Sequence, residues 1–184
     1  MIESISSELE NRPLNFPAIP ETLAAGIRSC EAEAFASDVF TNPKSALGDK
    51  VRGFYERLVV FLTDFKDFQT AESKFTVLYR LYQLQGQNVS GFQAKMLSLR
   101  LLFLFVSGRI NEYQTLLLSL PPSVQNSIEV KKILEFEQLV DLGNYKRAFE
   151  VVDSLSSSHK VLLERMKELQ KIEFAYQDLQ DDRS

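Results

Sequence analysis

Residues 101–122 read LLFLFVSGRINEYQTLLLSLPP. A membrane span needs about 20 consecutive apolar residues. Here Arg100 and Arg109 bracket a run of six, Leu101–Val106, so the run belongs in a protein core. With Met96, Leu97 and Leu99 before it, the run forms the second half of a helix, and that half is apolar on every face. Such a helix is surrounded by others, which places it at the centre of the fold. Glycine has no Cβ to clash in the left-handed conformation just past a helix end, so Gly108 stops the helix. Asn111 reads as the N-cap of the next helix, with Gln114 at its third position. Pro121-Pro122 then ends that helix, because proline cannot continue the hydrogen-bond ladder. The stretch is therefore an antiparallel helical hairpin.

The same grammar extends along the chain. Downstream, a helix from about Ile128 to Leu142 presents Ile133, Phe136 and Val140; Gly143 stops it and Asn144 caps the next, which carries Tyr145, Ala148, Val151, Val152 and Leu155. Ser156-Ser157-Ser158 breaks the pattern before a last helix from about His159 to Gln180. Upstream, Leu23, Ile27, Cys30 and Ala34 recur at three or four, as one helix face requires. A helix starting near Asp49 presents Val51, Tyr55, Leu58 and Leu62, and its partner presents Phe75, Leu78 and Tyr82. Ser90 with Gln93 resembles a capping box. Tyr113 and Tyr145 follow their turns 32 residues apart, close to the ~34-residue tetratricopeptide period. Pro13, Pro17 and Pro20 predict an extended arm, with Leu14, Phe16 and Ile19 available to pin it. The expected fold is all-α: a stack of antiparallel helical hairpins, like degenerate tetratricopeptide repeats, with a long C-terminal helix. The expected divisions are an arm (1–20), a helical-repeat domain (21–158) and a C-terminal amphipathic helix with a short acidic tail (159–184).

Composition narrows the function. The chain has 184 residues, net charge −4, 14 Phe and no Trp. Residues 1–50 hold eight acids and four bases, so the rest is balanced and carries no basic stripe for phosphate. Direct nucleic-acid binding is not expected. The first residues, MIESISSELENRP, lack the basic and apolar regions of a secretory signal, and the single cysteine implies no internal disulfide. The expectation is an intracellular, soluble protein with no membrane association.

No enzyme is legible. A zinc site needs three or four ligands, but the chain has one His and one Cys. Cys30 falls on the apolar stripe of its helix, where an inert buried thiol is expected. His159 follows three serines and reads as a solvated first-turn residue. Glu31 with Glu33, and Glu135 with Glu137, read as wet helix faces. Phosphate loops of the GxxxxGK[ST] and GxGxxG kinds are absent. No catalytic, cofactor or metal residues are assigned, and no small-molecule substrate is expected. On the last helix Leu162, Met166, Leu169, Ile172, Tyr176 and Leu179 form a heptad-like seam. It either covers the end of the stack or joins partner chains. In the second case Leu169, Ile172, Tyr176 and Leu179 are the partner-binding residues.

Residues 90–155 carry a family resemblance. Arg109-Ile110-Asn111-Glu112-Tyr113, the helix end Leu120-Pro121, and Gly143-Asn144-Tyr145-Lys146-Arg147-Ala148-Phe149 are similar to turns of the smallest PCI-subunit family of the proteasome regulatory-particle lid. The resemblance implies a non-catalytic scaffold supporting ubiquitin-dependent degradation, with other lid subunits as partners in a large hetero-oligomer. The sibling small subunits of the COP9 signalosome and of translation initiation factor three share this architecture. A free-standing tetratricopeptide-like adaptor is the other alternative. Where that family continues into a winged helix, this sequence stops at Ser184; the expectation is either a reduced form of the family or a piece of a longer chain.

Overall fold

A computed structural model describes residues 2–11, 19, 21–86 and 91–168. Among them there is no strand. The chain forms two compact units, Met1–Asn88 and Val89–Ser184. That boundary falls inside the stretch that the sequence predicts as one helical-repeat domain.

The first unit contains α1 (Ile2–Asn11), α2 (Glu21–Ala36), a 3-10 turn (Asp38–Phe40), α3 (Ala46–Asp64) and α4 (Phe68–Gln85). Residues 2–11 are therefore helical, not extended. Ile2, Ser6 and Leu9 bury one face of α1, a spacing that the prolines beyond it overshadowed. Pro13, Pro17, Pro20, Leu14 and Phe16 lie outside the described residues, and Ile19 is half-buried. The helix expected near Asp49 begins at Ala46, because the Ser45 hydroxyl accepts from the Gly48 amide at 3.1 Å. Val51, Phe54, Tyr55, Leu58 and Leu62 of α3 face Phe75, Leu78, Leu81 and Tyr82 of α4 to make the core. Ser90, the expected capping residue, is outside the described residues.

The second unit contains α5 (Gly91–Val106), α6 (Ile110–Ser119), the short α7 (Pro122–Gln125), α8 (Ile128–Asp141), α9 (Tyr145–Asp153) and α10 (residues 157–168). As expected, α5 is central: Ala94, Met96, Leu97, Leu99, Leu101, Leu102 and Leu104 are buried, and α6 and α8 both pack on it. Phe105 meets Tyr113 of α6 and Phe136 of α8 edge to face, with ring centroids 5.8 and 5.6 Å apart. This aromatic trio joins the two hairpins α5–α6 and α8–α9.

Three turns among the described residues repeat one geometry. At Lys66, Gly108 and Gly143 the backbone is left-handed, with φ of 66°, 69° and 71°. In each, the following residue donates back across the turn, Asp67 to Leu62, Arg109 to Leu104 and Asn144 to Leu139, at 2.8–2.9 Å. The left-handed residue itself donates to Thr63, Phe105 or Val140 at 2.9–3.0 Å. This is the paired closure that satisfies a helix's last carbonyls. In all three turns the residue after the left-handed one is already the N-cap of the next helix. Asn144 caps α9 as expected. Arg109, not Asn111, caps α6, because the turn needs one linking residue and not three. The internal period follows the glycines. Gly108 and Gly143 are equivalent, so fully buried Tyr113 corresponds to fully buried Ala148 and not to the exposed Tyr145.

Lys66 is the one non-glycine residue among the three. A side chain in the left-handed region costs about 1–2 kcal/mol, partly offset by glycine's larger unfolded-state entropy. Lys66→Gly is therefore expected to stabilise the chain by about 0.5–1 kcal/mol, read as a raised urea midpoint at unchanged slope. An unchanged or lowered midpoint would mean that Lys66 gains compensating contacts.

Candidate functional site

Polar groups capable of chemistry fall into a few buried clusters. Cys30 is fully buried, and burial, helped by Glu33, pushes its thiol up, as suits an inert core residue. In the first unit, Tyr82 Oη donates to Glu56 Oε1 at 2.8 Å. Arg52 donates to Gln85 Oε1 at 2.7 Å, and Gln85 Nε2 donates to the Pro43 carbonyl at 2.9 Å. Burial pushes the Glu56 carboxyl up against the opposing pull of Tyr82 and Arg52. The cluster ties α3, α4 and the loop before α3 together. Nothing in the sequence marks Glu56 as buried except its place one residue after Tyr55 on the core-facing side of α3.

His159 departs furthest from expectation. It is fully buried, not solvated. Its Nδ1 lies 2.8 Å from Ser156 Oγ and its Nε2 lies 3.0 Å from Ser98 Oγ on α5. Ser98 Oγ already donates to the Lys95 carbonyl at 2.8 Å, so it accepts from Nε2–H, and Nδ1 accepts from Ser156. Both serines thus hold a neutral imidazole, and burial with the nearby Lys95 lowers its pKa to about 3. A serine beside a histidine suggests a nucleophile with its base. Here Ser98 and His159 are both closed off from solvent, and the pair works as a joint between α10 and α5. The three serines before His159 look like a loop in the sequence, which hid the joint.

Among the described residues no group of three or more His, Cys, Asp or Glu is placed to hold a metal. No helix among them is long and apolar enough to cross a membrane. The proposed partner residues Leu169, Ile172, Tyr176 and Leu179 lie outside the described residues. The start of their seam is described: Leu162 and Met166, with Leu163, are buried in the unit that holds them. Among the described residues of the second unit, the exposed large apolar side chains are Phe92 at the start of α5, Ile110 and Leu118 on α6, Ile128 at the start of α8, and Leu142 with Tyr145 around the last glycine turn. Leu118 and Leu142 are the most open, at 82% and 80%. The surface thus offers apolar positions at helix ends and hairpin turns, as a part that packs against other proteins would.

The two hairpins and α10 lie in the segment that one family model matches. Residues 91–177 match the model of the CSN8/PSMD8/EIF3K family. The match begins at the first residue of α5 and takes in the central helix, both glycine turns and α10. It spans somewhat under half of the 184 residues and leaves the first unit unmatched. No curated protein matches the chain significantly. The CSN8/PSMD8/EIF3K match and the all-α fold support a PCI-type structural subunit of a large hetero-oligomeric complex, and fit a non-catalytic role. They do not distinguish the proteasome, the COP9 signalosome and initiation factor three.

Proposed function

We propose that this chain is a structural subunit of the proteasome regulatory-particle lid that supports lid assembly and, through it, ubiquitin-dependent degradation in cytoplasm and nucleus. The observation that carries this reading is the pair of hairpin turns, Arg109–Tyr113 and Gly143–Phe149, inside a segment that matches the small PCI-subunit family. The family match supports a scaffold, and the turn sequences favour the lid over its two siblings. In this reading the outer part of the last-helix seam, Leu169, Ile172, Tyr176 and Leu179, joins helices of neighbouring subunits. Burying four such side chains is worth roughly 1.5–3 kcal/mol each. Affinity purification of the tagged chain from its own cells, followed by mass spectrometry, is expected to recover the other lid subunits. The double variant Leu169→Asp, Ile172→Asp is expected to lower that recovery at least tenfold while melting as cooperatively as the parent chain. Recovery of signalosome or initiation-factor subunits without proteasome subunits would overturn the lid assignment.

A further inference from the structure

Little in the apolar part of α5 tells a neighbouring helix where to sit. Its buried side chains Met96, Leu97, Leu99, Leu101, Leu102 and Leu104 cover several faces, so an apolar stripe laid on them finds similar contacts after a slip or a turn. α10 brings such a stripe: Leu162, Leu163 and Met166 are buried, and methionine fills gaps of many shapes. Its other contacts are equally tolerant. Arg165 lies over the Phe103 ring at 5.8 Å, a ring that Arg100 also covers at 5.3 Å, and Lys167 lies over Phe149 of α9 at 4.5 Å. A cation is attracted by a ring's quadrupole anywhere within about 6 Å of its centre.

One contact is different. Among the described residues of α5 beyond Gln93, Ser98 is the one buried polar side chain. Its hydroxyl accepts from His159 Nε2 at 3.0 Å and donates to the Lys95 carbonyl at 2.8 Å, while His159 Nδ1 accepts from Ser156 at 2.8 Å. Further along both helices Arg165 meets Phe103, so α10 runs parallel to α5. Sliding α10 by one turn would move it about 5.4 Å, and one residue of rotation would swing it about 100°. Either movement leaves the buried Nε2–H of His159 facing leucines, an uncompensated desolvation.

A buried polar pair adds little stability over an apolar pair of the same shape, but it penalises every other seating. A single buried polar residue sets register between packed helices in the same way. We infer that Ser98 and His159 are positioning residues: they form a register pin that selects one seating of α10 on α5, and so set where the chain passes from residue 168 into the assembly seam at Leu169. The consequence for assembly rests on the reading of that seam as partner-binding; the pin itself does not.

The test places spin labels on the full chain at Gln114→Cys on α6 and Glu164→Cys on α10, both exposed positions. Cys30 is buried and stays unlabelled. Pulsed electron resonance is expected to give the labelled parent one narrow distance. Adding Ser98→Ala with His159→Leu is expected to keep the urea midpoint at or above the parent's, but to shift or broaden that distance by about 5 Å, one helical turn. The same double variant is expected to recover partner subunits at least tenfold less well in affinity purification. His159→Gln, which can still bond both serines, should keep the parent's distance and recovery. An unchanged distance in the apolar double variant would overturn the inference. So would a midpoint far below the parent's, because the pair would then contribute stability and not register. A shifted distance with undiminished recovery would overturn the consequence for assembly. A parent chain that recovers no partner would sink the lid reading instead, and the distances would still decide the pin.

Discussion

Between pH 7 and pH 4 the parent chain is expected to lose about 3 kcal/mol of stability that a His159→Gln variant does not lose. Unfolded histidine takes up its proton near pH 6.5, whereas buried His159 resists until about pH 3. Unfolding therefore binds one extra proton in the window between those values. The sign follows from linkage: stability is full above pH 6.5 and falls as the pH drops towards 3. At 1.36 kcal/mol per pKa unit, the whole window is worth roughly 4–5 kcal/mol, most of it spent by pH 4. The structural cause is that protonation puts a second hydrogen on the ring. Nδ1 then faces Ser156 as a donor, and the new charge sits in a dry site near Lys95. Glutamine at 159 can serve both serines and cannot titrate. Urea melts of parent and variant at pH 7, 6, 5 and 4 supply the difference directly. Parallel pH profiles would show that His159 gains access to water or counter-charge before the chain unfolds.

Phe136→Ala is expected to cost about 3–5 kcal/mol, the usual loss for a buried phenylalanine truncated in a core that cannot collapse. Phe136 is fully buried on α8 and meets Phe105 edge to face, and Phe105 in turn meets Tyr113. The void would open where the two hairpins join, between helices whose turns are closed by backbone hydrogen bonds and so resist collapse. Tyr113→Phe is a milder control. It removes the 2.6 Å hydrogen bond to Glu137 but keeps the ring, for about 1 kcal/mol. The exposed Leu118 gives the baseline, with Leu118→Ala close to neutral. Chemical denaturation midpoints of the three variants should rank in that order. A Phe136→Ala midpoint no lower than that of Leu118→Ala would mean that the hairpins are not joined through this ring.

The helices of the stack were legible because their apolar residues recur at three and four, and because glycine announces a left-handed stop. α5 was readable as the central helix for the simplest reason: its second half, Leu101–Val106, has no polar residue. The misses have physical causes. At Lys66 a lysine occupies a left-handed position, and no residue type there signals it. At Arg109 the exit of one helix and the entry of the next share a residue, so a reading that allowed a longer link chose Asn111. At α1 a ten-residue amphipathic pattern was outweighed by three nearby prolines. Of the proposed partner seam, only Leu162 and Met166 can be compared with the structure, and both face inward. His159 was missed because serines usually mark loops, and only the tertiary fold brings Ser98 to its ring.

The three matching turns carry a mechanical consequence. With helix exit and entry merged, neither hairpin arm has slack in which to rotate about its own axis. At 3.6 residues per turn, one residue added at such a joint would swing the next helix by about 100° and carry Tyr113 or Ala148 out of its core. Torque applied to an outer helix therefore passes to its inner partner through backbone hydrogen bonds, not through side chains that can hop between rotamers. Each hairpin is built as a stiff lever.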